Sequence, residues 1–238
     1  WLLWRLNDWP WLVAFLMGLP AGAVLWVVWR CARHMLAAAP AGGLLALFAT
    51  VGAAGGAVFR SQVGTTSGDV VTGGLVLLGV LAVLRPHGGR PARAAFIAGL
   101  ACGAAIGLKL TNAPFAPAIA AMIVATLGRD RRLPAALAAC ALGGLAGILA
   151  TAGWWAAHLV AQTGNPVFPY FNEMFAAGEG IPRAGRDLQF MPATLGEALI
   201  RPFLWAVSDL PRVTEERMRD PRVAAGLLAA IVLPWLRG

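Results

Sequence analysis

The chain has 238 residues, of which 59% are apolar and only 13% are charged, and its net charge is +8. Soluble domains average roughly 45–50% apolar and about 25% charged residues, so this composition excludes an ordinary soluble protein and indicates a polytopic membrane protein. Its arginines lie in short clusters between apolar runs, which membrane topology explains, so we exclude nucleic acid as a partner.

Apolar runs between charged or Pro/Gly breaks predict about seven membrane spans. They fall near residues 11 to 29, 41 to 59, 70 to 84, 94 to 109, 112 to 128, 134 to 160 and 222 to 236. The predicted fold is an all-α bundle, a single transmembrane domain over residues 1 to 238. Because the chain begins at Trp1 and an apolar run reaches almost to Gly238, we expect it to be a fragment.

Positively charged residues are concentrated in every second loop of the predicted bundle. Three loops hold eight arginines, and the two short loops between them hold only Arg60 and Lys109. Since positive loops stay on the cytoplasmic side, the amino-terminal stub and residues 60 to 69, 109 to 113 and 161 to 221 are predicted to face the exterior. We therefore expect a multi-pass protein of the inner (plasma) membrane with an extracytoplasmic active face.

Glycines spaced four apart recur in the spans and predict close helix packing. They are Gly18 and Gly22, Gly52 and Gly56, Gly99 with Gly103 and Gly107, and Gly143 with Gly147. Three cysteines, two of them inside apolar runs, offer neither a disulfide framework nor a zinc spacing.

The first outward polar run spans residues 60 to 69 and ends in Asp69. Ser67 or Asp69 could cap the following helix, which requires no further function. A carboxylate at the membrane surface could instead act as a base, a metal ligand or a hydroxyl acceptor.

The second outward run contains Lys109, the only lysine in the chain. Thr111 or Asn112 could cap the next helix, which would place Lys109 beside a helix amino terminus. Lys109 is either an anchor for a phosphate or carboxylate or a lysine that extends its ammonium group towards water.

The third outward segment, residues 161 to 221, begins with turn and proline residues that forbid a continuous helix. We interpret it as a reentrant or interfacial loop in which Tyr170 and Asn172 contact a polar substrate. Residues 194 to 197 fit a capping box, and the apolar face that follows predicts a helix lying on the membrane plane. Trp154 and Trp155, just before the segment, are predicted interfacial anchors.

Two stretches carry a family resemblance. The run from Gly103 to Pro114, with its Gly-Leu-Lys-Leu-Thr core, is followed one span later by Trp154-Trp155 and by Gly-Asn-Pro-Val-Phe-Pro at residues 164 to 169. This pattern resembles bacterial multi-pass proteins of the GT-C glycosyltransferase type, whose relatives include polyprenyl-phosphate-sugar-dependent mannosyltransferases.

The resemblance implies a GT-C-like helical core that transfers a sugar from a polyprenyl-phosphate donor to an acceptor, whether glycan, lipid or protein, on the outer face. It implies catalytic carboxylates in the outer loops, for which Asp69 and Asp8 are the candidates, and we expect a stronger acid upstream of Trp1. Lys109 and Arg60 are the predicted donor-phosphate contacts, and the predicted substrate contacts are Asn112, Asn165, Tyr170 and Asn172. No residues show metal-ligand spacing, and a divalent cation is the one cofactor left open.

Two other functions fit the same residues. A transporter, flippase or polysaccharide-export component would use Asp69 and Lys109 as buried charges along a pathway near the middle of the membrane. A noncatalytic assembly subunit would use neither. A transferase requires both side chains beside one outward cavity bordered by lipid.

Overall fold

The computed structural model describes residues 9–63, 68–85, 90–175, 191–207 and 219–236. All regular structure in these ranges is helical, as predicted, and a single 3₁₀ turn, Leu110–Asn112, precedes α6. The helices are α1 Pro10–Met35, α2 Gly42–Ala54, α3 Ala57–Gln62, α4 Asp69–Leu84, α5 Pro91–Leu108, α6 Phe115–Leu127, α7 Leu133–Thr163, α8 Asn172–Phe175, α9 Leu195–Val207 and α10 Arg222–Leu236.

Four segments are long and apolar enough to cross a membrane: Ala14–Met35 within α1, Pro91–Leu108, Leu110–Leu127 and Leu133–Thr163. The predicted membrane character is confirmed at this level. The apolar helices α2 and α4 are shorter, with 13 and 16 residues. The predicted span at 41 to 59 is interrupted, because α2 ends at Ala54 and α3 begins at Ala57. The count of seven spans stays a prediction.

The chain forms two compact units. The first contains Trp1–Gly55 and Phe59–Phe168, and the second contains Gly56–Val58 and Pro169–Gly238. In the first unit α2 packs on α1, α1 on α4, α4 on α5 and α5 on α7, while α6 touches α4, α5 and α7.

Helices α5 and α7 meet along a glycine seam, which we define as Gly99, Gly103 and Gly107 of α5 with Gly143 and Gly147 of α7. A Cβ atom added to Gly99 or Gly103 would lie 2.0 Å from the carbonyl oxygen of Cys140 or Gly144, so neither position has room for a side chain. Both contacts join residues 41 apart in sequence, which means that the two helices run parallel. Small residues let helix backbones approach closely in lipid, and the predicted packing role is confirmed here.

The other predicted glycine pairs do not form such a contact. An added Cβ atom would meet no atom within 4 Å at Gly18, Gly22 or Gly52, and Gly56 lies against the guanidinium group of Arg222 in the second unit. The expectation of a packing seam was therefore wrong for these pairs. The spacing alone does not determine which face of a helix has a neighbour.

Helix α7 begins level with α5 but is much longer. The 41-residue offset places Pro91 beside Arg132, and Gly107 lies against Ile148 and Thr151. At 1.5 Å per residue, the 31 residues of α7 are about 46 Å long and continue roughly 20 Å past the end of α5. Trp154 and Trp155 lie just beyond the level of Lys109 and are exposed, as expected of anchors at a membrane surface.

In the second unit, α9 packs against α10, and the amide of Asp220 donates to the carbonyl of Trp205 over 2.7 Å. The predicted capping box is confirmed at Thr194, whereas Glu197 binds the amide one residue before the cap residue. The Thr194 hydroxyl accepts from the Glu197 amide at 3.1 Å, while the Glu197 carboxylate accepts from the Ala193 amide at 2.9 Å. The apolar side chains of Leu195 and Leu199 are exposed, so the predicted interfacial position of α9 stays a prediction.

We expect Gly103→Ala to destabilise the first unit by about 1–3 kcal/mol, because its methyl group would overlap the Gly144 carbonyl in a packed interface. Thermal unfolding of the purified protein in detergent measures this. The matched control is Gly22→Ala, which places the same methyl group in open space and should leave stability unchanged or slightly higher. Equal unfolding temperatures for the two variants would contradict the seam.

Candidate functional site

The end of α5 and the tight turn after it position Lys109. The helix ends at Leu108, and Lys109 adopts an extended conformation while its amide still donates to the Ala105 carbonyl at 2.9 Å. The buried side-chain amide of Asn112 donates to the carbonyls of Ala105 at 3.2 Å and Lys109 at 3.0 Å. Asn112 therefore closes the end of α5, where the last carbonyls lack helical partners.

This geometry differs from the predicted cap. Helix α6 begins at Phe115 without a side-chain cap, so neither Thr111 nor Asn112 caps it. Asn112 was also a predicted substrate contact. Its amide nitrogen is instead committed to two backbone carbonyls in a buried position, which gives it a structural role in the turn that presents Lys109.

Asp69 is the first residue of α4. Gly68 precedes it in the left-handed conformation with φ of 75°, which glycine adopts without steric cost, and no side chain caps the helix. The carbonyl of Gly68 accepts from the amide of the buried Thr72 at 2.9 Å. A carboxylate in the first turn is favoured by the helix dipole.

Asp69 and Lys109 form an ion pair across 40 residues of sequence. The Lys109 ammonium donates to Oδ1 of Asp69, and Nε2 of Gln62 donates to Oδ2 at 3.0 Å. Both carboxylate oxygens therefore have a donor, which favours the ionised form. The structure brings together two of the predicted site residues, and it adds Gln62.

The ion pair is open to solvent. The side chains of Lys109 and Asp69 are 39% and 38% exposed. Partly exposed pairs of this kind contribute only about 0–1 kcal/mol, so another anion can compete for Lys109 at little energetic cost. The pair is thus a pre-positioned and exchangeable anion contact.

Arg60 lies on α3, two residues before Gln62. Two residues correspond to about 200° around a helix, so Arg60 points away from the face that carries Gln62, and its side chain is exposed. The fold gives no direct contact between Arg60 and the ion pair. Its predicted donor-phosphate role has no support from this placement.

Asn165 is fully buried, and its Oδ1 atom accepts from the Val167 amide at 2.9 Å. This is an Asx turn, which redirects the chain after α7. Asn165 lies at the same end of the parallel helices as Lys109, but α7 carries it roughly 20 Å farther along the helix axis. The predicted substrate contact is thus occupied in forming a turn, at a different level from the ion pair.

The remaining predicted site residues lie elsewhere. Tyr170 and Asn172 belong to the second unit, where Asn172 begins α8 and Tyr170 is partly exposed. Asp8 lies outside the described residues.

An apolar groove of about 490 Å³ runs between α5, α6 and α7. Its walls include Gly99, Gly103 and Gly144, which leave space because they carry no side chains. Towards one end it is lined by Ile106 and Ile148, and Ile106 lies three residues before Lys109. A lipid chain could therefore lie between the helices with its polar end about one helical turn from the ion pair.

Among the described residues, no three His, Cys, Asp or Glu side chains are grouped as metal ligands. A divalent cation stays an open expectation.

Gln62 is a residue of the candidate site that was not predicted. It lies seven residues before Asp69 in the same polar run. The residues between them follow no regular pattern, so the sequence does not indicate which carboxylate Gln62 would bind.

Comparison of the chain with protein-family models, with curated proteins and with solved structures found no significant match.

We expect Asn112→Ala to lower the unfolding free energy by about 1–3 kcal/mol, because two buried hydrogen bonds at the end of α5 would be lost. Thr111→Ala, in the same turn with an exposed side chain, is the matched control and should change stability by less than about 0.5 kcal/mol. Chemical or thermal unfolding in detergent measures both. If Asn112→Ala were as stable as the control, its role in the turn would be refuted.

Proposed function

We propose that this protein is a GT-C-type glycosyltransferase that moves a sugar from a polyprenyl-phosphate donor to an acceptor on the extracytoplasmic face of the inner membrane. The observation that carries the proposal is the Asp69–Lys109 ion pair, half exposed at aligned helix ends and close to an apolar groove. It combines an anion contact, a carboxylate and a place for a lipid chain in one region.

Lys109 is the proposed contact for the donor phosphate. The phosphate carries negative charge, and the leaving polyprenyl phosphate gains more as the sugar departs, so a nearby ammonium group stabilises the transition state. Because its pairing with Asp69 is weak and exposed, Lys109 can exchange the carboxylate for the donor phosphate.

Asp69 is the proposed general base. The acceptor hydroxyl oxygen attacks the anomeric carbon, the bond from this carbon to the phosphate oxygen breaks, and the hydroxyl proton passes to the Asp69 carboxylate. In the resting pair, hydrogen bonds from Lys109 and Gln62 make this carboxylate a poor proton acceptor. When Lys109 turns to the phosphate, Asp69 becomes more basic, so donor binding itself prepares the base.

The apolar groove is the proposed site of the polyprenyl chain. Its lining of small and aliphatic residues, which come from α5, α6 and α7, matches an isoprenoid. A donor that arrives through the membrane already activated needs no nucleotide-binding fold.

The position of the charges favours a transferase over a transporter. Asp69 is the first residue of α4 and Lys109 follows the last residue of α5, so both lie at helix ends and contact solvent. A transport pathway would place them between helices, near the middle of the membrane. The arginine clusters at the opposite ends of these helices support an extracytoplasmic location for the pair.

We expect Asp69→Asn and Lys109→Gln each to reduce sugar transfer by about 100-fold or more, the usual effect of losing a general base or a charge-stabilising group. Transfer is measured in membrane extracts supplied with labelled polyprenyl-phosphate sugars, together with release of polyprenyl phosphate, which needs no knowledge of the acceptor. The matched control is Asp130→Asn, which removes a salt-bridged carboxylate from the loop before α7. Unchanged transfer in both site variants would refute the proposal.

The charge-swapped variant Asp69→Lys with Lys109→Asp separates a catalytic role from a structural one. We expect the swap to keep an ion pair but to stay inactive, because the base and the phosphate contact have exchanged places. Its stability should fall by only about 0.3–1 kcal/mol, since a lysine at position 69 meets the dipole of α4 unfavourably. If the swap restored transfer to the wild-type rate, the pair would be only a structural contact between α4 and α5.

A further inference from the structure

The side of α7 that lines the apolar groove continues past the end of α5. The groove residues on α7 include Ala141, Gly144 and Ile148, whose spacing of three and four residues places them on one side of the helix. Seven residues after Ile148, about two helical turns farther along the same side, is Trp155. Trp155 therefore continues the line of groove residues.

Trp155 lies a short distance beyond the level of Lys109. The 41-residue offset between the parallel helices places Lys109 level with residue 150 of α7. Trp155 is five residues farther along, which corresponds to about 7.5 Å of helix axis. A sugar ring bonded to a phosphate at Lys109 would therefore lie beside Trp155 if it pointed away from the groove.

Three aromatic rings meet at this level, and we call Trp154, Trp155 and His158 the aromatic platform. The imidazole of His158 is stacked on the indole of Trp155, with ring centroids 5.3 Å apart and 28° between the ring planes. Trp154 meets Trp155 at 5.4 Å and 62°. These contacts restrict the rings, yet Trp154 and Trp155 remain 70% and 48% exposed, so ring surface is available to a ligand.

Anchoring at the membrane surface accounts for exposed tryptophans but not for this position. Trp9 and Trp11, at the start of α1, form another exposed aromatic pair with centroids 5.6 Å apart. Neither belongs to the lining of the groove. Trp155 differs from them because it is in line with the groove, just beyond the level of Lys109, and stacked on an imidazole.

We propose that the aromatic platform binds the sugar ring of the polyprenyl-phosphate donor. A pyranose carries C–H groups on its ring faces and hydroxyl groups around its edge, so one face can pack against an indole while the hydroxyls keep hydrogen bonds. The ring nitrogens of His158 can form one of these bonds. The inference rests on the proposed function, because it takes the donor phosphate to lie at Lys109 and the isoprenoid chain in the groove.

The donor then extends along one side of α7 in the order chain, phosphate and sugar. The groove and Lys109 contact parts that are common to every polyprenyl phosphate, whereas the platform contacts the sugar alone. After transfer, the polyprenyl phosphate that remains lacks this contact and binds more weakly. The platform therefore favours replacement of the spent carrier by a loaded donor.

Ligand binding by the full chain, purified in detergent without an acceptor, tests the proposal. The probes are polyprenyl phosphate and the same lipid carrying glucose, galactose or mannose, and affinities are obtained from thermophoresis and from shifts in the unfolding temperature. We expect at least one sugar-bearing lipid to bind about tenfold more tightly than polyprenyl phosphate.

The variant Trp155→Ala should lose this preference. Its affinity for the sugar-bearing lipid should fall about tenfold, while its affinity for polyprenyl phosphate stays unchanged and shows that the protein is folded. Trp155→Phe keeps an aromatic ring and should retain most of the preference. The matched control is Trp11→Ala, which alters the other exposed aromatic pair and should leave both affinities unchanged.

Equal affinities of the wild-type protein for polyprenyl phosphate and all three sugar-bearing lipids would overturn the proposal. So would an undiminished preference in Trp155→Ala, or an equal loss of affinity for both kinds of lipid, which would give Trp155 a structural role. The two proposals fail separately. Unchanged transfer in Asp69→Asn and Lys109→Gln refutes the transferase, whereas loss of transfer in those variants without any sugar preference in the wild type refutes the platform alone.

Discussion

The direct backbone contact between α5 and α7 determines most of the geometry of the first unit. Glycines on both helices allow the two parallel backbones to touch. The helices therefore cannot slide past one another without a clash. Helix α6 connects them and cannot enter the contact. Because Gly99, Gly103 and Gly144 also line the space facing α6, the residues that permit the close approach create the apolar groove as well.

The candidate site depends on this alignment but is built from local turns. Asn112 fixes the end of α5, and Gly68 allows α4 to begin at Asp69, so a lysine and a carboxylate distant in sequence meet at one level. The resulting ion pair is weak by itself. Its significance for the proposed transfer reaction is that the partners can separate when a phosphate arrives, which links donor binding to the basicity of Asp69.

Hydropathy predicted the helices because burial in lipid acts on whole runs of residues, and it placed α4, α5 and α7 to within a few residues. It did not find the break after Ala54, since small apolar residues on both sides suit a continuous span equally well. The site was predicted in part. Asp69 and Lys109 do meet, but Asn112 and Asn165 bind backbone groups, and sequence alone cannot distinguish an amide that binds a ligand from one that completes a turn.

The unequal lengths of α4, α5 and α7 have a consequence for the surrounding bilayer. Helices of 16 and 18 residues span only about 24 and 27 Å, less than the roughly 30 Å hydrocarbon core, whereas α7 spans more than the whole core. A short span is accommodated by thinning of the bordering lipid or by flanking side chains that reach outwards, and thinning would bring lipid headgroups to the height of Lys109. Ordinary phospholipids would then compete with a donor for the same ammonium group at high local concentration. In the proposed transfer reaction, discrimination in favour of a sugar donor would therefore come from the isoprenoid chain and the sugar, since a phosphate group alone would not distinguish it.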